Sequence, residues 1–294
     1  MHIPEAIQQG VVSLLKQKVG DTLVLKDFSF TGGGCINNGG KLTTSHGTYF
    51  LKWNDAVKFP DMFQTEAKGL KLLAESKSMY IPKVIDAGEA GSFQFLILEF
   101  VAASNRTQHY WRDFGVQLAM LHQHTSTSFG LDYNNYIGSL PQQNTLHTSW
   151  IDFFIHNRLD AQLRLAERSS LVDKSLRRNF ETLYAKLPDL LVMEKPALLH
   201  GDLWSGNVMV NQHGAPSLID PAVYFGHREM DIAMTQLFGG FNPEFLQVYH
   251  ESFPLAPGVE ERLQLYNLYP LLVHVNLFGG DYLAQVNSIL RRFI

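Results

Sequence analysis

Cysteine is almost missing from this chain of 294 residues; Cys35 is the only one. An intramolecular disulfide is therefore impossible, and a zinc site built from several thiolates is excluded. Such usage suits a reducing compartment. Charge is sparse too, with Asp, Glu, Lys and Arg at 18% and a net charge of -4 at pH 7. The sequence carries no basic excess that would gather phosphate backbones, so no nucleic-acid partner is expected. No apolar run reaches the roughly 18 residues that a membrane-spanning helix requires. Met1-His2-Ile3-Pro4-Glu5 also lacks the basic region and apolar stretch of a secretion signal. The expectation is a cytoplasmic protein with no membrane partner. Internal repeats and low-complexity tracts are lacking as well.

Hydrophobic residues make up 45% of the chain, an ordinary globular balance. The length allows one large domain or two lobes that each bury a core. Ile7, Val11, Leu14 and Leu15 recur at helical spacing, and residues 23–53 read as short strands broken by a glycine cluster. From Phe59 to Leu73 the set Met62, Phe63, Ala67, Leu70 and Leu73 makes an amphipathic helix with Glu66 on or beside its inward stripe. Strands are expected at 81–85 and 93–98, joined across the turn-forming residues 86–91. Beyond about residue 102 the pattern becomes helical, with candidates at 110–124, 150–167, 171–187, 228–238, 243–252 and 259–292, the last broken near Gly279-Gly280. Within that part, residues 197–220 read as small strands flanking polar loops. The expected class is α+β, with a small β-rich lobe at 1–101 and a larger, mostly α-helical lobe at 102–294.

The chemistry concentrates in His200-Gly201-Asp202-Leu203-Trp204-Ser205-Gly206-Asn207. An acid and an amide five positions apart on a loop match the catalytic loop of kinases. Phosphoryl transfer needs a carboxylate to orient the attacking hydroxyl and take its proton, and an amide oxygen to help hold metal against the phosphates. Asp202 fits the first role and Asn207 the second. His200 reads as a residue that fixes the loop by packing and hydrogen bonding. Asp220, eighteen residues after Asp202 and at the end of a short apolar strand, stands where kinases place a second metal-binding carboxylate.

Further positions agree with this reading. Lys52 ends the apolar run Tyr49-Phe50-Leu51, as does the kinase lysine that contacts the α- and β-phosphates. Glu66, fourteen residues later, is placed to pair with it. The glycines of Gly32-Gly33-Gly34-Cys35-Ile36-Asn37-Asn38-Gly39-Gly40 would let backbone N–H groups approach phosphate, Gly33 and Gly34 above all. The Glu99 carbonyl and Val101 amide, at the expected lobe junction, are placed to meet adenine. Each feature also has a plainer reading: an exposed strand-end lysine, a solvated glutamate, a flexible hairpin, an interdomain connector.

The chain resembles the fructosamine kinase family, relatives of aminoglycoside phosphotransferases and choline kinases that share the protein-kinase-like fold. The resemblance runs over nearly the whole length. It is carried by residues 198–207, by Asp220-Pro221-Ala222-Val223-Tyr224-Phe225-Gly226-His227-Arg228-Glu229, by Gly33 to Asn37, by Arg158-Leu159 and Gln162-Leu163, and by Leu237 to Phe241. Leu272-Val273-His274-Val275-Asn276 is also similar to the family, although spacing assigns it no role. The resemblance implies ATP- and Mg2+-dependent phosphorylation of the sugar 3-hydroxyl of ketosamines, small or protein-bound, after which the adduct is destabilised. Asp202 would face the hydroxyl, while Lys52 and magnesium ions on Asn207 and Asp220 would neutralise developing charge. Trp204 would either stack on the acceptor or brace the loop. His227 and Arg228 would either contact substrate or brace the helix that follows. Asp231 is expected to support the loop by accepting backbone N–H bonds. Oxidation of Cys35 would disturb phosphate binding; the alternative is an inert loop cysteine.

Three other readings remain open at this level. The acceptor could be another hydroxylated amine, of aminoglycoside or choline type, or the chain could be a silent nucleotide-binding module. A protein kinase fits less well, because the nine residues from Asp220 to the next helix leave little room for a peptide platform. Both a monomer and a homodimer are compatible with the sequence.

Overall fold

The computed structural model describes residues 3–31 and 37–294. The chain divides into two compact units, Met1–Gln108 with Met209–Ile219, and His109–Val208 with Asp220–Ile294.

The first unit begins with α1 (Glu5–Val19) and continues through β1 (Leu25–Phe30), β2 (Asn38–Thr44), β3 (Gly47–Asp55), α2 (Met62–Glu75), β4 (Val84–Ala90) and β5 (Phe93–Glu99). Its five strands form an antiparallel sheet in the order β1-β2-β3-β5-β4. Alternation along β3 and β5 sends successive side chains to opposite faces. Leu51, Trp53, Phe95 and Ile97 pack under Ile7, Val11 and Leu15 of α1. Leu96 and Leu98 meet Phe63, Ala67 and Leu70 of α2 on the other face. Lys52, between Leu51 and Trp53, therefore lies on the α2 face.

The expected turn over 86–91 is instead mostly strand, since β4 runs to Ala90 and only Gly91-Ser92 turn. Gly88 permits this continuation: a Cβ there would fall 2.9 Å from Cζ of Phe95, the residue it pairs with across the sheet.

The second unit is mainly helical. Its elements are α3 (Tyr110–His122), β6 (Asn135–Ile137), β7 (Leu140–Gln142), α4 (Trp150–Phe153), α5 (Asp160–Arg168), α6 (Lys174–Leu190) and β8 (Ala197–Leu199); β9 (Val208–Val210) starts at the last residue of this stretch, and its remainder and its partner β10 (Pro216–Leu218) belong to the first unit. They are followed by β11 (Tyr224–Gly226), α7 (Glu229–Leu237), α8 (Pro243–Ser252), α9 (Val259–Tyr266), α10 (Leu268–Phe278) and α11 (Leu283–Phe293). A π-helical segment, Phe154–Leu159, joins α4 to α5. α8 begins with Pro243 after Asn242, whose side chain accepts the Glu244 N–H, a capping pattern legible in the sequence. The run expected at 259–292 is broken twice, at Gly279 and also at Asn267. Pro270 explains the second break, because it lacks the N–H that would bond the Tyr266 carbonyl. Among the described residues no helix is long and apolar enough to cross a membrane.

Candidate active site

Three-residue strands frame the loop that carries the motif. β8 pairs antiparallel with β11, setting Leu199 opposite Tyr224, and Ala222 N–H donates to the His200 carbonyl at 2.9 Å. The chain must turn sharply here, and Gly201 allows it with φ +82°; a Cβ would lie 2.1 Å from the Ala222 carbonyl oxygen.

Asp231, at the start of α7 and 1% exposed, holds the loop. Its Oδ2 accepts the His200 N–H at 2.8 Å and its Oδ1 the Gly201 N–H at 2.9 Å. Charge-assisted bonds of this kind are about twice as strong as neutral ones. His200 is fully buried, and its Nδ1 accepts the Asp202 N–H at 3.3 Å. Asn207 Nδ2 donates to the Asp202 carbonyl at 2.9 Å and to its Oδ2 at 3.0 Å, drawing acid and amide together. Its bond to the Asp220 carbonyl is 3.5 Å. Asp220 itself has φ 53°, a left-handed conformation that Asp tolerates better than most residues. Removal from water, together with the Asp220 and Asp231 carboxylates, pushes Asp202 up to about 7, against the Asn207 bond that lowers it.

Lys52 and Glu66 meet in the first unit. Nζ donates to Oε1 at 2.7 Å with both side chains nearly buried, and the ammonium lies 5.8 Å from the Phe63 ring centroid. Glu99, at the end of β5, accepts from the Tyr80 hydroxyl at 2.6 Å and the Lys83 N–H at 3.1 Å. Val101 is buried just beyond it. Gly33, Gly34 and Cys35 lie outside the described residues.

Trp204 is 39% exposed and lies over Gly206, where a Cβ would come 2.2 Å from its Cη2. His227 is fully buried, and burial holds it below the ordinary imidazole range. Its Nδ1 accepts the Glu229 N–H at 3.3 Å. The guanidinium of Arg228, 3% exposed, forks onto Glu194 at 2.8 and 2.9 Å and also donates to the Phe253 and Pro254 carbonyls. Both residues are thus engaged inside the protein beside α7.

Several further residues secure the site, and of these only Arg158 stands in a segment that resembles the family. His122, at the end of α3, puts Nε2 3.2 Å from Asp231 Oδ2 and Nδ1 2.8 Å from the Tyr249 hydroxyl. Asn135 and Gln142 donate to the Val223 and Ala222 carbonyls at 2.8 and 3.0 Å. Arg158 is fully buried, 3.8 Å from the Tyr224 ring centroid, and donates to Asn144 Oδ1 at 2.8 Å. Their bonding depends on neighbours distant in sequence, so composition and spacing do not reveal them.

The family profile for fructosamine kinase matches residues 7–294. The chain belongs to the fructosamine kinase family. A relative named "Probable ketoamine kinase" from Enterococcus faecium is 41% identical over 281 residues, covering 92% of this chain and 98% of its own. The chloroplastic protein-ribulosamine 3-kinase of Arabidopsis thaliana is 37% identical over 270 residues, 90% of this chain and 81% of its own. Among solved structures, a "Putative fructosamine-3-kinase" from Haemophilus somnus superposes with a TM-score of 0.88 at 29% identity, covering 97% of this chain and 96% of that one. The aminoglycoside phosphotransferase APH(4)-Ia shares the fold, with a TM-score of 0.65 at 16% identity over 96% of this chain and 98% of that one. The fold class is therefore α+β and protein-kinase-like, as the resemblance implies.

Proposed function

We propose that the chain is an ATP- and magnesium-dependent kinase that phosphorylates the 3-hydroxyl of ketosamines, with Asp202 as the general base. The observation that carries this reading is the Asp202–Asn207 pair, locked by the grip of Asp231 on the preceding backbone. Membership of the fructosamine kinase family and the names of the ribulosamine and ketosamine kinase relatives support the acceptor class.

The residues suit magnesium. Asn207 spends its Nδ2 on Asp202, leaving Oδ1 as its acceptor atom, and Asp220 offers a carboxylate. Both are hard oxygen donors of the type magnesium prefers, and they would hold the ion beside the phosphates. Burial first, and then the Asp220 and Asp231 carboxylates, disfavour the ionised form of Asp202, a penalty that a divalent cation beside it would relieve. When bound, the metal supplies charge neutralisation for the phosphates.

In this reading Asp202 orients the 3-hydroxyl and takes its proton. The freed oxygen forms a bond to the γ-phosphorus as the bond to the β–γ bridging oxygen breaks, and ADP leaves. Lys52, held by Glu66, contacts the α- and β-phosphates. The Glu99 carbonyl and Val101 N–H take adenine, and Gly33 and Gly34 take phosphate. Trp204, exposed beside the loop, stacks on the acceptor. The functional division is placed between residues 101 and 102, in a cytoplasmic setting.

The test is an acceptor panel of ribulose-lysine, fructose-lysine, choline and kanamycin, with ATP and magnesium, following ADP release. Turnover of the ketosamines alone is expected. Turnover confined to choline or kanamycin would overturn the acceptor class and keep the kinase. ATP binding without any turnover would favour a silent nucleotide-binding module.

A further inference from the structure

The recess containing Asp202 is also lined by Tyr269, Pro270, Val273 and His274 of α10, and His274 in turn packs against a group of rings that phosphoryl transfer does not use. Its walls include Asp202, Met230, Asp231, Met234, Tyr269 and His274. None of the described residues lining it is a lysine or arginine. The nearby Arg158 guanidinium is fully buried against the Tyr224 and Tyr269 rings. Carboxylates without a facing cation favour a cationic occupant.

At the His274 end the surroundings are aromatic. The imidazole centroid lies 4.7 Å from Phe238, 5.4 Å from Phe278 and 5.0 Å from Tyr282. Phe238 is 40% exposed and Phe278 55% exposed, so these rings do not close a core. His274 Nδ1 lies 2.7 Å from the Pro270 carbonyl. Only a protonated Nδ1 can donate to a carbonyl, so the neutral ring carries its lone pair on Nε2. Burial lowers the His274 pKa, although the Pro270 bond works against that shift. A neutral imidazole among ring faces attracts an ammonium through the quadrupoles and offers it one acceptor atom.

We infer that His274, with the rings of Phe238, Phe278 and Tyr282, forms the subsite for the protonated amine arm of the acceptor. This rests on the ketosamine-kinase reading above and deepens it. A ketosamine carries its amine on the carbon two positions from the one bearing the 3-hydroxyl, and that secondary alkylamine is cationic at neutral pH. With the hydroxyl at Asp202, the ammonium and its alkyl chain extend along the same recess towards His274. The subsite thus selects an alkylammonium attached to a ketose over a neutral sugar of the same shape.

Two acceptors separate this recognition from simple apolar packing: 1-butylamino-1-deoxyribulose, which is cationic, and 1-O-butylribulose, its neutral ether counterpart. The intact chain is expected to prefer the cationic compound in kcat/KM. Phe278→Leu, at an exposed position, and His274→Gln are each expected to reduce that preference by about fivefold, the scale of one cation–π contact. An unchanged preference in both variants, or equal weakening of both acceptors, overturns the subsite. Calorimetric titration of the two compounds without ATP reads the same preference independently of turnover. If the intact chain binds the cationic compound better, Phe278→Leu removes that preference and no phosphate is transferred, the subsite stands and the kinase reading fails. Equal binding of the two compounds by the intact chain overturns the subsite.

Discussion

At Asp202 catalysis and stability pull in opposite directions. A base at the reacting hydroxyl must be ionised, yet the surrounding protein and two further carboxylates push this carboxyl up to about 7 from an ordinary value of 3.8. The folded chain therefore binds this proton more tightly than the unfolded chain between those two pH values. The group's contribution to stability falls as pH rises through that window, and above it the folded state bears the full cost of the buried charge. Asp202→Asn is accordingly expected to raise the melting temperature of the metal-free protein by about 2–4 °C or more at pH 8. The gain should shrink towards pH 4, as scanning calorimetry at both pH values would show. The same substitution should lower kcat by about a thousandfold, the usual range for a lost general base. Asp231→Asn should weaken the two N–H bonds that hold the loop and lower kcat, with KM for ATP little changed, in steady-state assays. The role of Asp231 is legible in the sequence from its place at a helix start. Its anchors His122 and Tyr249 are not, because their bonding depends on which helices pack together.

Elements were readable where hydrophobic period and punctuation agree. The helix at 243–252 has a proline after an asparagine cap and matches its sequence limits. Short pieces were harder: β6 and β7 are three residues each, contain Asn135, Pro141 and Gln142, and show no alternation to detect. The π segment holds Arg158 buried beside the Phe153 and Tyr224 rings, a tertiary arrangement that the local pattern does not announce. Helix approach depends on single residues as well. At Gly115 of α3 a Cβ would fall 2.6 Å from the Phe245 carbonyl of α8. Gly115→Ala should therefore separate the pair and destabilise the chain by about 1–3 kcal/mol despite alanine's better helix propensity, a loss that urea titration would measure. Removing Glu66 by Glu66→Gln leaves Lys52 without its 2.7 Å carboxylate contact. Radiometric kinase assays should show at least a tenfold loss of kcat/KM for ATP, the cost of about 1.4 kcal/mol of lost positioning.

For the whole molecule, the sequence showed the fold class and the motif order, since the resemblance runs over nearly the whole length and is most specific at residues 198–207 and 220–229. It did not show that Met209–Ile219 packs with the N-terminal unit. The bonds responsible, such as the Ser104 hydroxyl to the Asn211 carbonyl at 2.7 Å, join residues far apart in the chain. Binding a nucleotide and its metal should stabilise the protein by mass action, about 2.7 kcal/mol at a ligand concentration one hundred times Kd. A thermal shift with AMP-PNP and magnesium should thus raise the melting temperature, with EDTA or Asp220→Ala removing most of the rise. The most direct test of the central claim locates the transferred phosphate by proton–phosphorus NMR after incubation with ATP, magnesium and ribulose-lysine. Phosphate on the sugar 3-oxygen, formed by the intact chain and not by Asp202→Ala, is the predicted result. Phosphate on another oxygen, or undiminished transfer by Asp202→Ala, would contradict it.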